Sequence, residues 1–313
     1  MQVLHSLEEV PAQFGPTVVS VGNFDGVHRA HQAVVRHMAE RAHAIGGKAV
    51  VLTFEPHPMR ILRPDSAPKL LSPLPVKLQL LEKAGVDAVL VLPFTRDLSL
   101  MSAHDFAKKV LAEALHAREV HEGYNFHFGH KAQGNVRTLG ALGEELGFGV
   151  KIYPEQLLRG HHVSSSEIRN LITEGKVGKA RALLGRPFSI FSNPGRGRGY
   201  GHKYTVPTVN LARYDELVPG NGVYITRVRL NGECFDAVTN VGVRPTFGAD
   251  SFAIESHLLN FHPVEVLAQT ELELIFLRRL RDEQKFESVE TLREQIAKDV
   301  HRARRYFRLM KGR

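Results

Sequence analysis

Cys234 is the only cysteine in the chain, and tryptophan is missing altogether. One thiol excludes an internal disulfide framework and any multi-cysteine zinc site. No uncharged apolar run approaches the roughly 20 residues that a membrane helix needs. The opening segment, MQVLHSLEEVPAQFG, has no basic flank and too short an apolar core for a secretory signal. The expected location is therefore the cytoplasm. Internal repeats and low-complexity tracts are also absent, and 43% hydrophobic with 24% charged residues is the composition of a folded soluble protein. At 313 residues the chain is longer than one hydrophobic core usually serves, so two domains are expected.

Acidic residues are in the minority. Lys+Arg total 41 against 33 for Asp+Glu, a formal charge of +8, which is compatible with nucleic acid or with phosphorylated small molecules. The basic residues are dispersed except in RRLR (278–281) and the tail HRARRYFRLMKGR (301–313). That tail reads most simply as a solvated helix face. With no tryptophan and no recognisable nucleic-acid module, nucleic-acid binding is the weaker reading.

Two patterns of secondary structure divide the chain. In the first half, short apolar runs at Thr17–Val21, Ala49–Phe54, Ala88–Leu92, Glu119–Glu122 and Gly149–Tyr153 alternate with helical periodicity after His28 and over Val76–Ala84, Ala103–Ala114 and Thr138–Leu146. Such alternation predicts a parallel α/β sheet. Two short helices follow, about 166–174 and 176–184, with Gly185 as a C-cap. Beyond them, strand-like segments at Val223–Arg227, Phe235–Asn240, Ile254–Phe261 and Glu271–Leu277 succeed one another without helices, and Asn231-Gly232 is a strong hairpin signal. A small antiparallel β-barrel or sandwich is predicted there. A terminal helix from about Ser288 would place Val289, Leu292, Ile296, Val300 and Phe307 on one apolar face. The expected domains are 1–185 and 186–313.

GNFDGVHRAH (22–31) lies where a buried strand gives way to a helix, the junction at which open α/β sheets bind ligands. Unpaired N–H groups and a partial positive charge make a helix N-terminus a phosphate receptor. His28 and His31 share a face there and could stabilise charge developing on phosphorus. As an isolated pair they would read as surface or capping residues. The whole strand–turn–histidine unit resembles the H-x-G-H signature of nucleotidylyltransferases. Ser164-Ser165-Ser166 followed by Arg169 opens a later helix with capping hydroxyls and a guanidinium, both suited to a triphosphate.

Taken together, the motifs resemble those of the bifunctional riboflavin kinase/FMN adenylyltransferase (FAD synthetase) family. The resemblance rests on GNFDGVHRAH (22–31), FEPHP (54–58), GYNFHFG (123–129), VSSSEIR (163–169), LLGRPF (183–188), GRGRGYGHKYTVPTVN (195–210), TNVGVRPTF (239–247), ESHLLNF (255–261) and RDEQKF (281–286). It implies a Rossmann-like nucleotidylyltransferase domain followed by a kinase barrel with a terminal helix. In the first domain it implies ATP phosphate binding by Gly22, Asn23, Phe24, Asp25, His28, His31, Asn125, Ser164 and Arg169. Phe54, Pro56 and Pro58 match a segment near the flavin. Ala30 departs from the glycine usual between the two histidines.

For the second domain, the alternating glycines of 195–201 could be a flexible linker or a polyphosphate cradle. The resemblance favours the cradle, with Gly195, Gly197, Arg198 and Gly199 at ATP and with Thr208 and Asn210 holding Mg²⁺ together with the phosphates. A hydroxyl and an amide oxygen are acceptable ligands for that ion. Val209 stands where the family has alanine, and Thr205-Val206 where glycine-phenylalanine is common. Glu255, read alone, is a surface strand residue; by resemblance it is the base that deprotonates the ribityl hydroxyl. Arg244 would brace the barrel. The implied chemistry is phosphorylation of riboflavin to FMN, then adenylylation of FMN to FAD with release of pyrophosphate. ATP, riboflavin, FMN and FAD would be the only partners, with neither nucleic acid nor membrane involved, on a monomer or weak oligomer.

Overall fold

The computed structural model describes residues 1–195, 208–243, 252–262 and 270–311. Its backbone divides into two compact units, Met1–Ser165 and Ser166–Arg313. The helices Ser165–Thr173 (α4) and Val177–Leu184 (α5) thus fall almost entirely in the second unit. Leu183 and Leu184 are buried there, and Gly185 caps α5 in the left-handed conformation.

In the first unit, β1 (Gln2–Leu4), β2 (Thr17–Val21), β3 (Lys48–Glu55), β4 (Ala88–Pro93), β5 (Ala117–Gly123) and β6 (Gly149–Tyr153) form one sheet. Every pairing is parallel, in the order β1-β4-β3-β2-β5-β6. Strands buried on both faces read as unbroken apolar runs, which is why TVVSV was legible as a strand. Val19, Val50, Leu52 and Leu90 join one hydrophobic cluster, whereas Val18, Ala49, Val51 and Val89 join another that includes Val35, Met38 and Ala42 of α1 (Arg29–Ala44). Each buried valine, leucine or methionine among them contributes on the order of 1.5–3 kcal/mol. Helices α2 (Leu74–Lys83) and α3 (Val136–Leu146) fall where their periodicity predicts them. The predicted helix Ala103–Ala114 is α-helical only to Asp105, and Phe106–Ala114 continues with π-type bonding. β1 was not foreseen because three residues carry too little pattern to register.

The second unit is an antiparallel sheet of β7 (Phe188–Ser192), β8 (Thr208–Asn210), β9 (Gly222–Leu230), β10 (Glu233–Val243), β11 (Phe252–Leu258) and β12 (Leu272–Arg281), ordered β7-β12-β9-β10-β11-β8. Asn231 and Gly232, both at positive φ, turn β9 into β10 as the dipeptide predicts. The two edges meet beyond β7 and β8. Pro194 pairs with Leu211, the Gly195 N–H donates to the Asn210 carbonyl at 2.8 Å, and the Ala212 N–H donates to the Asn193 carbonyl at 2.9 Å. This closure turns the sheet into a barrel.

α6 (Val289–Lys311) packs Ala303 and Phe307 against Val223, Ile225, Val238 and Leu277, and Asp299 receives Arg281 Nε at 2.9 Å. The apolar face predicted for this helix is only half buried. Val289, Leu292 and Ile296 are exposed, because the first turns of α6 carry the apolar period but find no core beneath them among the described residues. Arg302, Arg305 and Arg308 lie on its exposed side, as a solvated face requires.

Candidate active sites

In the first sheet the strand order reverses at β2: the chain builds β3 and β4 on one side and then returns to add β5 on the other. A reversal of this kind opens a crevice at the carboxyl ends of the strands. Gly22–Val27 crosses that crevice, with Phe24 at φ 47°, Gly26 at 80° and Val27 at 37°. Positive φ at a β-branched residue is uncommon and costs conformational energy, so the surrounding packing must hold the loop in shape. Phe24 and Val27 are buried among Val18, Val35 and Val91. Asn23 is fixed through its carbonyl, which accepts from Thr53 Oγ1 at 3.3 Å.

His28 caps α1. Its Nδ1 accepts the His31 N–H at 3.4 Å, which sets the neutral ring's proton on Nε2 and makes that nitrogen a donor. The two imidazoles are stacked, centroids 3.6 Å apart and 15° from parallel, and Phe24 leans on His31 at 4.9 Å. Burial holds His31 well below the ordinary histidine pKa, and the neighbouring His28 and Lys77 push it the same way. His31 Nδ1 is buried without a hydrogen-bond partner. A buried polar nitrogen left unmatched at a helix N-terminus suits a ligand that brings its own donors or acceptors. Ala30 sits half-buried in the same first turn.

Asp25 also has a structural duty that its motif does not announce. Its carboxylate accepts the N–H groups of Leu71 (3.0 and 3.1 Å) and Ser72 (3.0 Å) at 1% exposure, tying the segment before α2 to the loop. The Asp25 carbonyl accepts from Ser165 Oγ at 2.8 Å, which places Ser164 next to a residue bonded to the same loop. Arg169 lies one turn into α4, in the second compact unit. Asn125 is exposed just beyond β5, and the flanking Phe126 and Phe128 stack at 5.2 Å against the core. Phe54, one residue before the end of β3, is in edge contact with Phe94 at 5.5 Å; Pro56 follows a cis peptide, and Pro58 opens the short helix Pro58–Leu62 capped by His57.

Sequence reasoning missed Lys77. It is 4% exposed, donates to Thr53 Oγ1 at 3.4 Å, and has its pKa lowered by burial against the opposing pull of Asp25 and Glu55. Its helical spacing in α2 looks like that of any solvated lysine, so only tertiary packing reveals it.

In the barrel, register does the assembling. Thr226 Oγ1 lies 2.7 Å from Thr239 Oγ1, which lies 2.8 Å from Ser256 Oγ, all three fully buried. This hydroxyl chain lines the interior across β9, β10 and β11. Side chains alternate along a strand, so the neighbours of these residues share the other face. There Asn210 pairs with Glu255, Glu255 with Asn240, and Thr208 with His257. Thr208 and Asn210, two apart on β8, thus converge on one face with Glu255, which is distant in sequence, and Asn240 and His257 join them. Neither of the last two was singled out in sequence, because cross-strand register is not written locally. Burial lowers the His257 pKa, with Arg304 adding to the effect.

Gly195 is a glycine for steric reasons: a Cβ there would meet the Leu211 carbonyl oxygen at 2.5 Å. Its N–H donates to the Asn210 carbonyl at 2.8 Å. Gly197, Arg198, Gly199 and Arg244 lie outside the described residues. Among the described residues no cluster of three or more His, Cys, Asp or Glu side chains could hold a metal ion. Likewise, no helix among them is long and apolar enough to cross a membrane.

Two family models match the chain: FAD synthetase over residues 10–167 and Riboflavin kinase over 184–307. A bifunctional riboflavin kinase/FMN adenylyltransferase from Pseudomonas fluorescens is 36% identical over 305 residues, covering 97% of both chains. The protein of the same name from Haemophilus influenzae is 35% identical, covering 98% of this chain and 99% of its own. Among solved structures, a Streptococcus pneumoniae protein named Macrolide-efflux Protein superposes with a TM-score of 0.85 at 25% identity, covering 96% of this chain and 98% of its own.

Proposed function

This chain belongs to the bifunctional riboflavin kinase/FMN adenylyltransferase family, and from that membership we propose which of its residues carry each activity. Both activities reside in the one chain: it converts riboflavin to FMN and FMN to FAD, and ATP, riboflavin, FMN and FAD are its substrates and products. The observation that supports the division of labour most strongly is the cross-strand register that gathers Thr208, Asn210 and Glu255 on one barrel face. The stacked histidines belong to the other unit.

In the kinase step, Glu255 takes the proton from the terminal ribityl hydroxyl as its oxygen bonds to the γ-phosphorus of ATP. The β–γ phosphoanhydride bond breaks and ADP leaves. Asn240, opposite Glu255, keeps polar company for that carboxylate. Thr208 and Asn210 fit Mg²⁺ by donor chemistry: both offer oxygen, and the ion usually takes few protein ligands beside phosphate and water. When bound, it would supply charge neutralisation at the ATP phosphates.

In the adenylyl step, an FMN phosphate oxygen attacks the α-phosphorus of a second ATP and pyrophosphate departs. The acceptor is already an anion, so no base is required. His28 Nε2–H, His31 and the first N–H groups of α1 stabilise the charge gathering on the departing phosphates. Ser164 serves the same triphosphate, and Phe54, Pro56 and Pro58 line the flavin side. The boundary between the catalytic modules is set near Gly185, a reading supported by the kinase model beginning at residue 184. A monomer or weak oligomer working in the cytoplasm, without nucleic acid or membrane, completes the proposal.

The separability of the modules is directly testable. A fragment Ser166–Arg313, which keeps α5 against the barrel, is expected to make FMN from riboflavin and ATP and never FAD. Folded fragment without kinase activity would contradict an independent second module.

A further inference from the structure

The floor of the crevice in the first unit holds a carboxyl group that the chemistry above does not use. Glu122, next to the end of β5, is 4% exposed. It accepts the Val21 N–H at 2.5 Å, and the Ser20 hydroxyl hydrogen-bonds to the same carboxyl. Burial pushes its pKa well above the ordinary carboxylate range, and only those two hydrogen bonds oppose the rise.

Its place in the sheet explains what it does. Pairing of β2 with β5 runs from Thr17 to Val19, opposite Val120, and then stops, while β5 continues beside β6 as far as Gly123 opposite Tyr153. The two strands part at their carboxyl ends, where the crevice opens. N–H groups of successive residues in a strand point to opposite sides. The Gly22 N–H goes to the Leu52 carbonyl of β3, so the Val21 N–H faces the gap toward β5, beyond the last residue pair of the two strands. Glu122 reaches across and accepts it. Val21 is the last residue before the strained Gly22–Val27 loop that delivers His28 to the N-terminus of α1.

We propose that Glu122 is a positioning residue for adenylyl transfer: its carboxyl takes the place of a strand carbonyl, anchors the end of β2, and so fixes the Gly22–His28 loop against the nucleotide phosphates. This rests on assigning that loop to adenylyl transfer. The two can fail separately: if His28→Ala leaves FAD formation intact the assignment falls, whatever Glu122 does. Misplacement of catalytic groups by about 1 Å can cost on the order of 100-fold in rate.

The test compares Glu122→Gln with Glu122→Leu in the full chain, by kcat and KM for ATP in FMN adenylylation at saturating FMN. The stoichiometry of binding a non-hydrolysable ATP analogue is measured by calorimetry on each variant. Gln keeps an acceptor for Val21 without charge and is expected to remain within about threefold of the parent kcat, whereas Leu, with similar bulk and no acceptor, should fall by roughly 10- to 100-fold. The KM for ATP and the binding stoichiometry should stay near parental for both, and riboflavin phosphorylation should be unaffected. Glu122→Val, compatible with a strand and smaller, is the second variant should Leu prove insoluble. Full activity of Leu or Val would overturn the proposal. So would a Gln variant as impaired as Leu, which would mean that an ionised carboxylate is needed. Loss of kcat matched by loss of binding-competent protein would reduce Glu122 to a fold-stabilising residue and also overturn it.

Discussion

Replacing His28 by alanine is expected to lower FAD formation from supplied FMN by on the order of 10²–10³, with FMN formation from riboflavin within about twofold of the parent rate. The side chain has two duties. Through Nδ1 it caps α1 by accepting the His31 N–H, and through Nε2–H it offers a donor at the helix N-terminus. Loss of the cap alone costs on the order of 1 kcal/mol of stability, too little to unfold a domain with two large hydrophobic clusters. Loss of the donor acts in the transition state, where negative charge moves onto the leaving pyrophosphate. His31 would also lose the ring stacked on it at 3.6 Å. The variant should therefore bind ATP yet turn it over slowly, and steady-state assays of both products with a thermal melt are the check. Equal loss of both activities in a folded variant would mean that the histidines do not belong to adenylyl transfer.

Glu255→Gln is expected to do the converse, cutting riboflavin phosphorylation by roughly 10²–10⁴-fold. The amide keeps the size and reach of the side chain and its place opposite Asn210 and Asn240. It cannot take a proton. The barrel should be undisturbed, because register is held on the other face by the Thr226–Thr239–Ser256 hydroxyl chain. Adenylylation of supplied FMN should proceed at the parental rate, since its acceptor is already ionised. A fall below about tenfold would assign Glu255 to positioning and would leave phosphoryl transfer to charge stabilisation alone.

Much of this architecture could be read before any coordinates. Strands such as Thr17–Val21 and Gly149–Tyr153 lie within a few residues of their sequence bounds, because burial on both faces or a sharp flanking turn writes itself locally. The Asn231-Gly232 hairpin is a statement about φ that only a few residue types satisfy. What escaped is tertiary in origin. The exposed Val289, Leu292 and Ile296 obey the same period as the buried Ala303 and Phe307; the difference lies in what the barrel supplies beneath them. Lys77 and Glu122 are charged residue types whose burial depends on partners distant in sequence: Thr53 for one, Ser20 and Val21 for the other. Of the proposed site residues, His28 and His31 are contiguous enough to be recognised as a unit. Thr208, Asn210 and Glu255 become a unit only through register, which also brings in Asn240 and His257. Asp25 and Gly195, which lie in motifs that suggest ligand binding, also hold backbone together, a duty that the motifs do not announce.

The central claim is that one chain makes FAD in two steps at two separate sites, and a complementation assay tests it most directly. His28→Ala and Glu255→Gln chains are incubated with riboflavin, ATP and Mg²⁺, separately and as an equimolar mixture, and the flavins are separated by chromatography. Alone, the first should accumulate FMN and stop, and the second should leave riboflavin almost untouched. The mixture should produce FAD, because FMN released by one chain is the substrate of the other. FAD formed by the His28→Ala chain alone, or a mixture that yields FMN but no FAD, would contradict the account.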